Sequence, residues 1–160
     1  ANLADDHTTT AAVFHHALAA TEAKDRYRYA CCIYPASPFT TAGDLREGLA
    51  LVADEGATTS LAVTSFAAPI WRAFERLADE CLEMIWPEHR DTRSQDLPEA
   101  FHDAGQFYWV SVQNFMKDPV LYSPHTRGVL FERGRAHDID TEEDWTLAEM
   151  IFRASEKDQR

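Results

Sequence analysis

The sequence predicts a single α/β domain built around a mostly parallel sheet. Two short apolar runs, residues 29–34 and residues 60–66, have the length of strands. Between them Leu45, Leu49 and Val52 recur at helical spacing. A strand, a helix and a second strand in this order form a right-handed crossover between parallel strands. With 160 residues the chain is long enough for one domain with a substantial core, so residues 1–160 are expected to form one unit.

The other elements follow from the same patterns. Residues 6–21 predict a helix whose amino end is rich in hydroxyl groups. Residues 29–34 predict the central strand, because a continuous apolar run suits burial on both faces. Gly56 stands where a left-handed cap would end the next helix. The remaining predictions are a strand at 105–110, a short helix at 112–116, a strand at 128–132 and a closing helix at 141–155.

Residues 67–103 break the periodic pattern. Prolines interrupt the segment, and it carries large apolar side chains at Trp71, Phe74, Met84, Ile85 and Trp86. Exposed apolar patches of that size seldom remain uncovered. The segment therefore predicts a long irregular arm that contacts a second subunit.

Composition and charge narrow the range of functions. The net charge of -12 and the pI near 4.9 disfavour binding to nucleic acid or to an anionic membrane. No apolar run approaches the roughly 20 residues of a membrane-spanning helix. The start of the chain lacks the pattern of a signal peptide, so the cytoplasm is the simplest expected location. Cys31, Cys32 and Cys81 lack metal-ligand spacing and are predicted to be reduced and buried.

Asp138 and Asp140 are the leading candidates for chemistry. They are expected at the carboxyl end of a strand, where open α/β sheets bind ligands. In an extended segment their side chains share a face, with the residues roughly 6 to 7 Å apart, so both can reach one Mg²⁺. Because Mg²⁺ often completes its shell with water and phosphate, the pair predicts a phosphate-bearing substrate. The competing interpretation is an acidic helix start, in which Thr141 and Asp144 form a capping box.

Residues 93–109 form a second group of polar and aromatic side chains. Arg93 can grip a carboxylate through two parallel hydrogen bonds, which favours a small anionic ligand. The alternative is a surface arginine beside a buried aromatic strand. His102, next to Asp103, is open to two interpretations: an aid to proton transfer or an oriented structural imidazole.

One class of motif is absent from the sequence. The chain has no Gly-rich phosphate-binding loop, and it leads directly into a helix where a parallel sheet is expected to begin with a strand. We therefore expect a sheet without its first strand or strands, as in an amino-terminally truncated chain or a shortened relative.

Three segments resemble motifs of the acylneuraminate cytidylyltransferases, in the same order and at similar spacing. They are Leu-Ala-Asp-Asp-His-Thr at 3–8, Ile-Tyr-Pro-Ala-Ser-Pro-Phe at 33–39, and Asp-Ile-Asp-Thr-Glu-Glu-Asp at 138–144. Within that family, the runs Arg-Ser-Gln-Asp-Leu at 93–97 and His-Asp-Ala-Gly-Gln-Phe-Tyr-Trp at 102–109 are most similar to those of the pseudaminic acid cytidylyltransferases. The resemblance extends from end to end of the chain.

This resemblance implies a three-layer, Rossmann-like sheet of the nucleotide-diphospho-sugar transferase type, and a homodimer joined by residues 67–103. It implies transfer of CMP from CTP to a nine-carbon 2-keto sugar acid, with Mg²⁺ as cofactor and pyrophosphate as product. Asp138 and Asp140 would hold the metal and serve catalysis. The implied substrate contacts are Arg93 for the sugar carboxylate, Tyr34, Ser37, Gln106 and Tyr108 for the sugar pocket, and Thr9 or Thr10 for the nucleotide.

Two positions differ from relatives that use N-acetylneuraminate. Tyr34 replaces a glutamine and Ala104 replaces an asparagine. A different, deoxygenated and more apolar sugar of the pseudaminic type is therefore expected. The basic nucleotide loop of the family lies upstream of the matched part, so the chain as given is expected to be inactive. The alternatives are a dimeric sugar-acid-binding relative without catalysis, or another Mg²⁺-dependent nucleotide-sugar enzyme.

Overall fold

The computed structural model describes residues 3, 5 and 7–158, and the side chains as far as residue 154. The helices of this part are α1 (Thr10–Ala20), α2 (Ala23–Arg26), α3 (Ala42–Ala53), α4 (Val112–Lys117) and α5 (Glu142–Asp158). The strands are β1 (Tyr29–Ile33), β2 (Thr59–Ser65), β3 (Phe74–Arg76), β4 (Leu82–Met84), β5 (Phe101–Ser111) and β6 (Thr126–Phe131). Ala4 of the first motif and Asp6, where the first helix was predicted to begin, lie outside the described residues.

Four strands form the main sheet in the order β1-β5-β2-β6. β2 pairs in parallel with β6, whereas β5 runs antiparallel to both β1 and β2. Three of the four strands therefore share one direction. The α/β class is confirmed, but the two strands of the predicted crossover are not neighbours, because β5 lies between them.

The prediction that β1 is the central strand is wrong. β1 lies at an edge of the described sheet, and Ile33 at its end is 50% exposed. β2 has a neighbour on each side, and its first four residues are buried. An apolar run indicates which faces of a strand are covered but not how many strands pair with it, and this is why the pattern misled.

Helices cover both faces of the sheet. On one face Tyr108 and Val110 of β5 pack with Phe14 and Leu18 of α1 and with Phe115 of α4. On the other face Phe107 packs with buried residues of β2 and β6 and with the apolar side of α3. Alternate residues of a strand point to opposite faces, which explains why β5 serves both clusters. Phe107 is 0% exposed, and burying a side chain of this kind stabilises the fold by about 1.5 to 3 kcal/mol.

The start and end of α3 follow from its sequence. Thr41 is the N-cap, and its hydroxyl accepts from the backbone N–H of Asp44 while the Asp44 carboxylate accepts from the backbone N–H of Thr41. This reciprocal pair satisfies two donors that the first turn leaves unpaired. Beyond the helix Gly56 has φ of 73°, as its predicted capping role requires.

Residues 67–103 are more ordered than the irregular arm that we predicted. β3 and β4 form a hairpin in which Glu75 lies opposite Glu83. Trp71 packs edge-on against Trp86 and donates to the carbonyl of Pro98 at 2.7 Å. Leu82 remains 65% exposed. The role of this hairpin in a subunit contact stays a prediction.

The cysteines differ in burial. Cys31 and Cys32 are partly buried, whereas Cys81 is exposed, and all three are free thiols. The prediction of three buried thiols is therefore wrong for Cys81, because this residue lies just before β4 of the hairpin rather than in the core. In the part of the chain that the structure describes, none of the helices has the length and apolar character needed to cross a bilayer.

Candidate functional site

Several of the predicted site residues, among them Tyr34, Gln106 and Asp138, lie at one edge of the main sheet. β1, β2 and β6 end at this edge, and the antiparallel β5 begins there. β1 continues into Tyr34, and β6 continues into the loop of residues 132–141, which leads to α5. The carboxyl ends of parallel strands are the usual place for ligands in such sheets.

β5 is distorted where it enters the sheet. Leu61 of β2 pairs with Tyr108 and Val63 pairs with Asp103, so two steps along β2 match five along β5. Within this bulge Gly105 has φ of 61°, in the left-handed region that glycine adopts most easily. A bulge redirects the side chains beside it. Residues 104–107 therefore have no ladder partner on β2, and the side chains of Asp103 and Gln106 contact neighbouring loops.

Gln106 joins the bulge to two loops. Its side-chain nitrogen donates to the carbonyl of Ala104 at 2.8 Å and to that of His137 at 3.3 Å. Its side-chain oxygen accepts from Thr40 at 3.4 Å. The residue is 0% exposed. It thus lies beneath the surface of the site and supports the loops there, whereas the sequence suggested that it lines the pocket.

Asp138 and Asp140 lie in the loop after β6. Asp138 stands seven positions beyond the last residue of the strand, not at its tip as predicted. Its Oδ1 accepts from the backbone N–H of Ile139 at 3.0 Å. Its Oδ2 faces the bulge, 3.5 Å from where a β-carbon on Gly105 would be. Asp140 is also exposed, and no hydrogen bond to its carboxylate is found among the described residues.

Asp144 takes the capping role that was the alternative interpretation of this acidic segment. Its carboxylate accepts from the backbone N–H of Thr141 at 2.9 Å and from the Thr141 hydroxyl at 2.7 Å. Its own N–H donates to the same hydroxyl at 3.2 Å. The bonds from the Thr141 side chain and backbone lower the pKa of Asp144. The capping box is therefore confirmed, and it does not engage the carboxylates of Asp138 and Asp140.

The carboxylates of this loop are of the chemical kind that hard divalent cations bind. Among the described residues, no three His, Cys, Asp or Glu side chains converge as a metal-binding group. Mg²⁺ needs fewer protein ligands than such a group supplies, because it commonly takes one or two carboxylates and completes its shell with water and phosphate. The two exposed carboxylates of this loop meet that number.

Arg135 anchors the acidic loop to the rest of the domain. Its guanidinium donates to the carbonyl of Phe39 at 3.0 Å and to the carboxylate of Asp44, and it lies 4.7 Å from the ring centre of Phe131. Burial raises the pKa of Asp44, but the hydrogen bonds from Thr41 and Arg135 outweigh burial, so this pKa is lowered. No local sequence pattern predicts this contact, because 91 residues separate the partners.

A cluster of hydroxyl groups surrounds Asp103. Its Oδ2 accepts from Tyr108 at 2.5 Å and from Tyr122 at 2.6 Å, and its Oδ1 accepts from the backbone N–H of Gly105 at 2.8 Å. Burial and the bond to Asp103 raise the pKa of Tyr108 well above its ordinary value. The same two causes raise the pKa of Tyr122 to about 12. Neither Asp103 nor Tyr122 was predicted as a site residue.

Two predicted contacts extend this cluster. The ring of Tyr34 lies 5.6 Å from that of Tyr108. The hydroxyl of Tyr34 shares a hydrogen bond of 2.6 Å with that of Thr10. The structure thus brings together one predicted nucleotide contact and two predicted sugar contacts. We call Thr10, Tyr34, Asp103, Tyr108 and Tyr122 the tyrosine cluster.

The other predicted site residues have local partners. Thr9 caps α1, since its hydroxyl accepts from the N–H of Ala12 at 3.3 Å. Ser37 donates to the carbonyl of Tyr34 at 2.6 Å and holds the loop after β1. Arg93 pairs with Asp96 at 2.7 Å, and its side chain is 72% exposed. Within the described part of the chain, no hydrogen bond or ion pair joins Arg93 to the tyrosine cluster.

His102 has contacts of a structural kind. Its Nδ1 lies 2.8 Å from the carbonyl oxygen of Asp103, and its ring packs on Phe66 at 4.8 Å. These contacts orient the imidazole without joining it to the Asp103 carboxylate.

Comparison with known proteins bears on the identity of this site. No protein-family model matches the chain. Two proteins of Campylobacter jejuni subsp. jejuni, from serotypes O:2 and O:23/36, are each named pseudaminic acid cytidylyltransferase. Each is 28% identical to this chain over 155 residues, which cover 96% of the chain and 67% of the relative. The chain is similar to these two pseudaminic acid cytidylyltransferases over almost its whole length.

A third relative comes from Helicobacter pylori. It is named pseudaminic acid cytidylyltransferase and UDP-2,4-diacetamido-2,4,6-trideoxy-beta-L-altropyranose hydrolase. It is 30% identical over 125 residues, which cover 78% of this chain and 24% of that protein. The resemblance to pseudaminic acid cytidylyltransferases that the motifs indicated is thus confirmed over most of the chain. The chain spans about two thirds of the length of the Campylobacter relatives.

Proposed function

We propose that the protein is a nucleotidyltransferase that joins CMP from CTP to a nonulosonic acid of the pseudaminic type and releases pyrophosphate. One observation carries the proposal. In a chain similar along 96% of its length to cytidylyltransferases, the Asp138 carboxylate faces the β5 bulge, and Asp103 and Tyr108 of the tyrosine cluster border the same bulge. A metal-binding loop and a polar pocket for a sugar acid would then share one edge of the sheet, where strands of such sheets usually bind ligands.

The acidic loop would serve the phosphates. Asp138 and Asp140 would hold Mg²⁺, which when bound neutralises phosphate charge. Arg135 would keep the two carboxylates in place, because it ties their loop to Phe39 and to the start of α3. Thr9 and Thr10 would face the nucleotide at the amino end of α1, where free backbone N–H groups favour an anion.

The bulge and the loop after β1 would serve the sugar acid. Tyr34 would contact it and the buried Tyr108 would support the pocket from beneath, while Ser37 and Gln106 would hold the backbone around them. Arg93 would bind the sugar carboxylate in exchange for Asp96, and its exposure leaves it free to do so. We further propose a homodimer in which residues 67–103, which include the β3–β4 hairpin, reach the partner subunit.

The names of the relatives guide the choice of sugar. The Helicobacter pylori protein combines the transferase with a hydrolase that acts on a diacetamido-trideoxy sugar. We propose that the sugar acid used by this chain carries acetamido groups.

Pyrophosphate release tests the proposal. The full-length protein would be incubated with CTP, Mg²⁺ and either pseudaminic acid or N-acetylneuraminic acid. Turnover is expected with pseudaminic acid and much less with N-acetylneuraminic acid, and chelation of Mg²⁺ should stop it. Binding of the sugar acid without pyrophosphate release would favour a relative that binds but does not catalyse. No turnover with any nonulosonic acid would remove the assignment.

A further inference from the structure

We propose that Asp103 is a positioning residue that fixes the hydroxyl protons of Tyr108 and Tyr122, so that the tyrosine cluster accepts hydrogen bonds from an amide or hydroxyl group of the sugar acid. The inference deepens the proposed function and rests on it for the identity of the ligand. It is carried by the hydrogen-bond geometry around one carboxylate.

The direction of these hydrogen bonds is fixed by chemistry. A carboxylate only accepts, whereas a phenol has a single proton to donate. The distances of 2.5 Å and 2.6 Å to Asp103 are those of charge-assisted O–H···O⁻ bonds. Tyr108 and Tyr122 have therefore both committed their only proton to Asp103. Each oxygen keeps lone pairs, so toward a ligand each can act only as an acceptor.

Access differs among the members of the cluster. Tyr108 is 3% exposed and lies under the surface, whereas Tyr122 is 65% exposed. A ligand would therefore meet Tyr122 first, on a surface backed by the negative charge of Asp103. Tyr108 acts as the buried support that keeps Asp103 in place.

This arrangement selects the chemistry of the ligand. A carboxylate or phosphate oxygen offers no proton to Tyr122 and is repelled by Asp103. An amide N–H or a hydroxyl offers the proton that the cluster lacks. The acidic end of the sugar must therefore bind elsewhere, and its donor groups, such as acetamido N–H, are expected at Tyr122.

The cluster is also coupled to the predicted metal site. Oδ1 of Asp103 accepts from the N–H of Gly105, and the position that a β-carbon of Gly105 would take faces Asp138. Asp103 thus fixes one strand segment that lies between the two halves of the site. A sugar held at Tyr122 would be oriented relative to the phosphates by this segment.

The test uses the full-length protein and four variants: Tyr122→Phe, Tyr108→Phe, Asp103→Asn and the control Tyr27→Phe. Tyr27 is 63% exposed and lies outside the cluster. Removing the Tyr122 hydroxyl should raise the KM for the sugar acid about fivefold to tenfold, as expected for one lost hydrogen bond. The KM for CTP and kcat should stay unchanged. Asp103→Asn should also raise the sugar KM, whereas Tyr27→Phe should change neither constant.

A ligand analogue makes the test specific. An analogue whose acetamido nitrogens are methylated cannot donate there, so the wild type and Tyr122→Phe should bind it equally. Calorimetry of sugar-acid binding without CTP gives a readout that does not depend on turnover. A Tyr122→Phe variant that folds normally and keeps the wild-type sugar KM and affinity would overturn the inference.

The outcomes separate this inference from the proposed function. Wild-type turnover together with an unchanged sugar KM in Tyr122→Phe would support the proposed function and contradict the role of the cluster. Sugar binding that follows the predicted pattern among the variants, without turnover, would support the role of the cluster and contradict the proposed enzymatic function. Absence of sugar-acid binding by the wild type would overturn both.

Discussion

Gly105 and Asp138 meet across the candidate site: a β-carbon on Gly105 would lie 3.5 Å from Oδ2 of Asp138. That distance is an ordinary van der Waals contact, so the space for a methyl group exists. The backbone is the real constraint, because φ of 61° lies in the left-handed region. Placing an L side chain there costs roughly 1 to 2 kcal/mol. The glycine therefore lets the bulge bring Gln106 against the acidic loop, where its side chain donates to the carbonyl of His137.

The first prediction concerns Gly105→Ala. We expect the free energy of unfolding in urea to fall by about 1 kcal/mol and kcat to fall as well, because relief of the strain would shift the bulge against Asp138. Gly56→Ala is the matched control, since Gly56 has φ of 73° and nothing within 4 Å of an added β-carbon. It should lose similar stability and keep its activity. Equal losses of activity in both variants would contradict a special role for Gly105.

The second prediction concerns the metal site. Asp140→Asn should lower Mg²⁺-dependent turnover by more than about 100-fold while the thermal melting curve stays unchanged, because an exposed ligand is lost without loss of packing. The Mg²⁺ concentration needed for half-maximal rate should rise in any remaining activity. Glu142→Gln is the control, because it changes an acidic residue in the first turn of α5. It should change neither the turnover nor its dependence on Mg²⁺. An unchanged rate in Asp140→Asn would rule out the metal role.

Much of the fold was predictable because it depends on local patterns. β2, α4 and β6 were each predicted to within two residues at either end, and the Thr141–Asp144 cap was among the weighed alternatives. The place of β1 at an edge and the antiparallel course of β5 were not predicted. Those features depend on pairing between distant segments, which a pattern within one segment does not report.

The site was predictable to a smaller extent. The family resemblance selected Thr10, Tyr34 and Tyr108, and the structure brings them together. Asp103 and Tyr122 were missed because their bond spans 19 residues and joins a strand to a loop with no motif of its own. The pairing of Arg93 with Asp96 was missed although the two residues are only three apart, since the carboxylate-clamp interpretation took precedence.

The third prediction concerns Arg135. Arg135→Met should lower the free energy of unfolding by roughly 1.5 to 3 kcal/mol, the range for hydrogen bonds to charged groups, because Asp44 and the carbonyl of Phe39 lose their partner. Arg133→Met is the control: Arg133 lies in the same loop and is exposed, and no hydrogen bond or ion pair is found for it within the described part of the chain. Urea denaturation measures both. Equal stabilities of the two variants would show that the anchor contributes little.

The fourth prediction concerns alkaline pH. The pKa of Tyr122 is raised from 10.0 to about 12, so the folded state keeps a proton that the unfolded state has lost between these values. Stability from this group is therefore fully present below pH 10 and declines as pH rises toward 12. Tyr122→Phe should show a shallower fall in melting temperature across this interval than the wild type or Tyr27→Phe. Parallel curves for all three proteins would argue against the Asp103 bond in solution.

The fifth prediction concerns Arg93. Its side chain is 72% exposed and its pair with Asp96 lies at the surface, so Arg93→Ala should barely change stability. If Arg93 binds the sugar carboxylate, the same change should raise the KM for the sugar acid at least about tenfold and leave the KM for CTP unaltered. Arg90→Ala removes a comparable exposed pair, with Asp91, from the same segment and should leave both constants unchanged. An equal rise in the KM for the sugar acid and in the KM for CTP would contradict the carboxylate clamp, because such a clamp acts on the sugar acid only. Arg93 would then contribute only to the overall positive potential of the site.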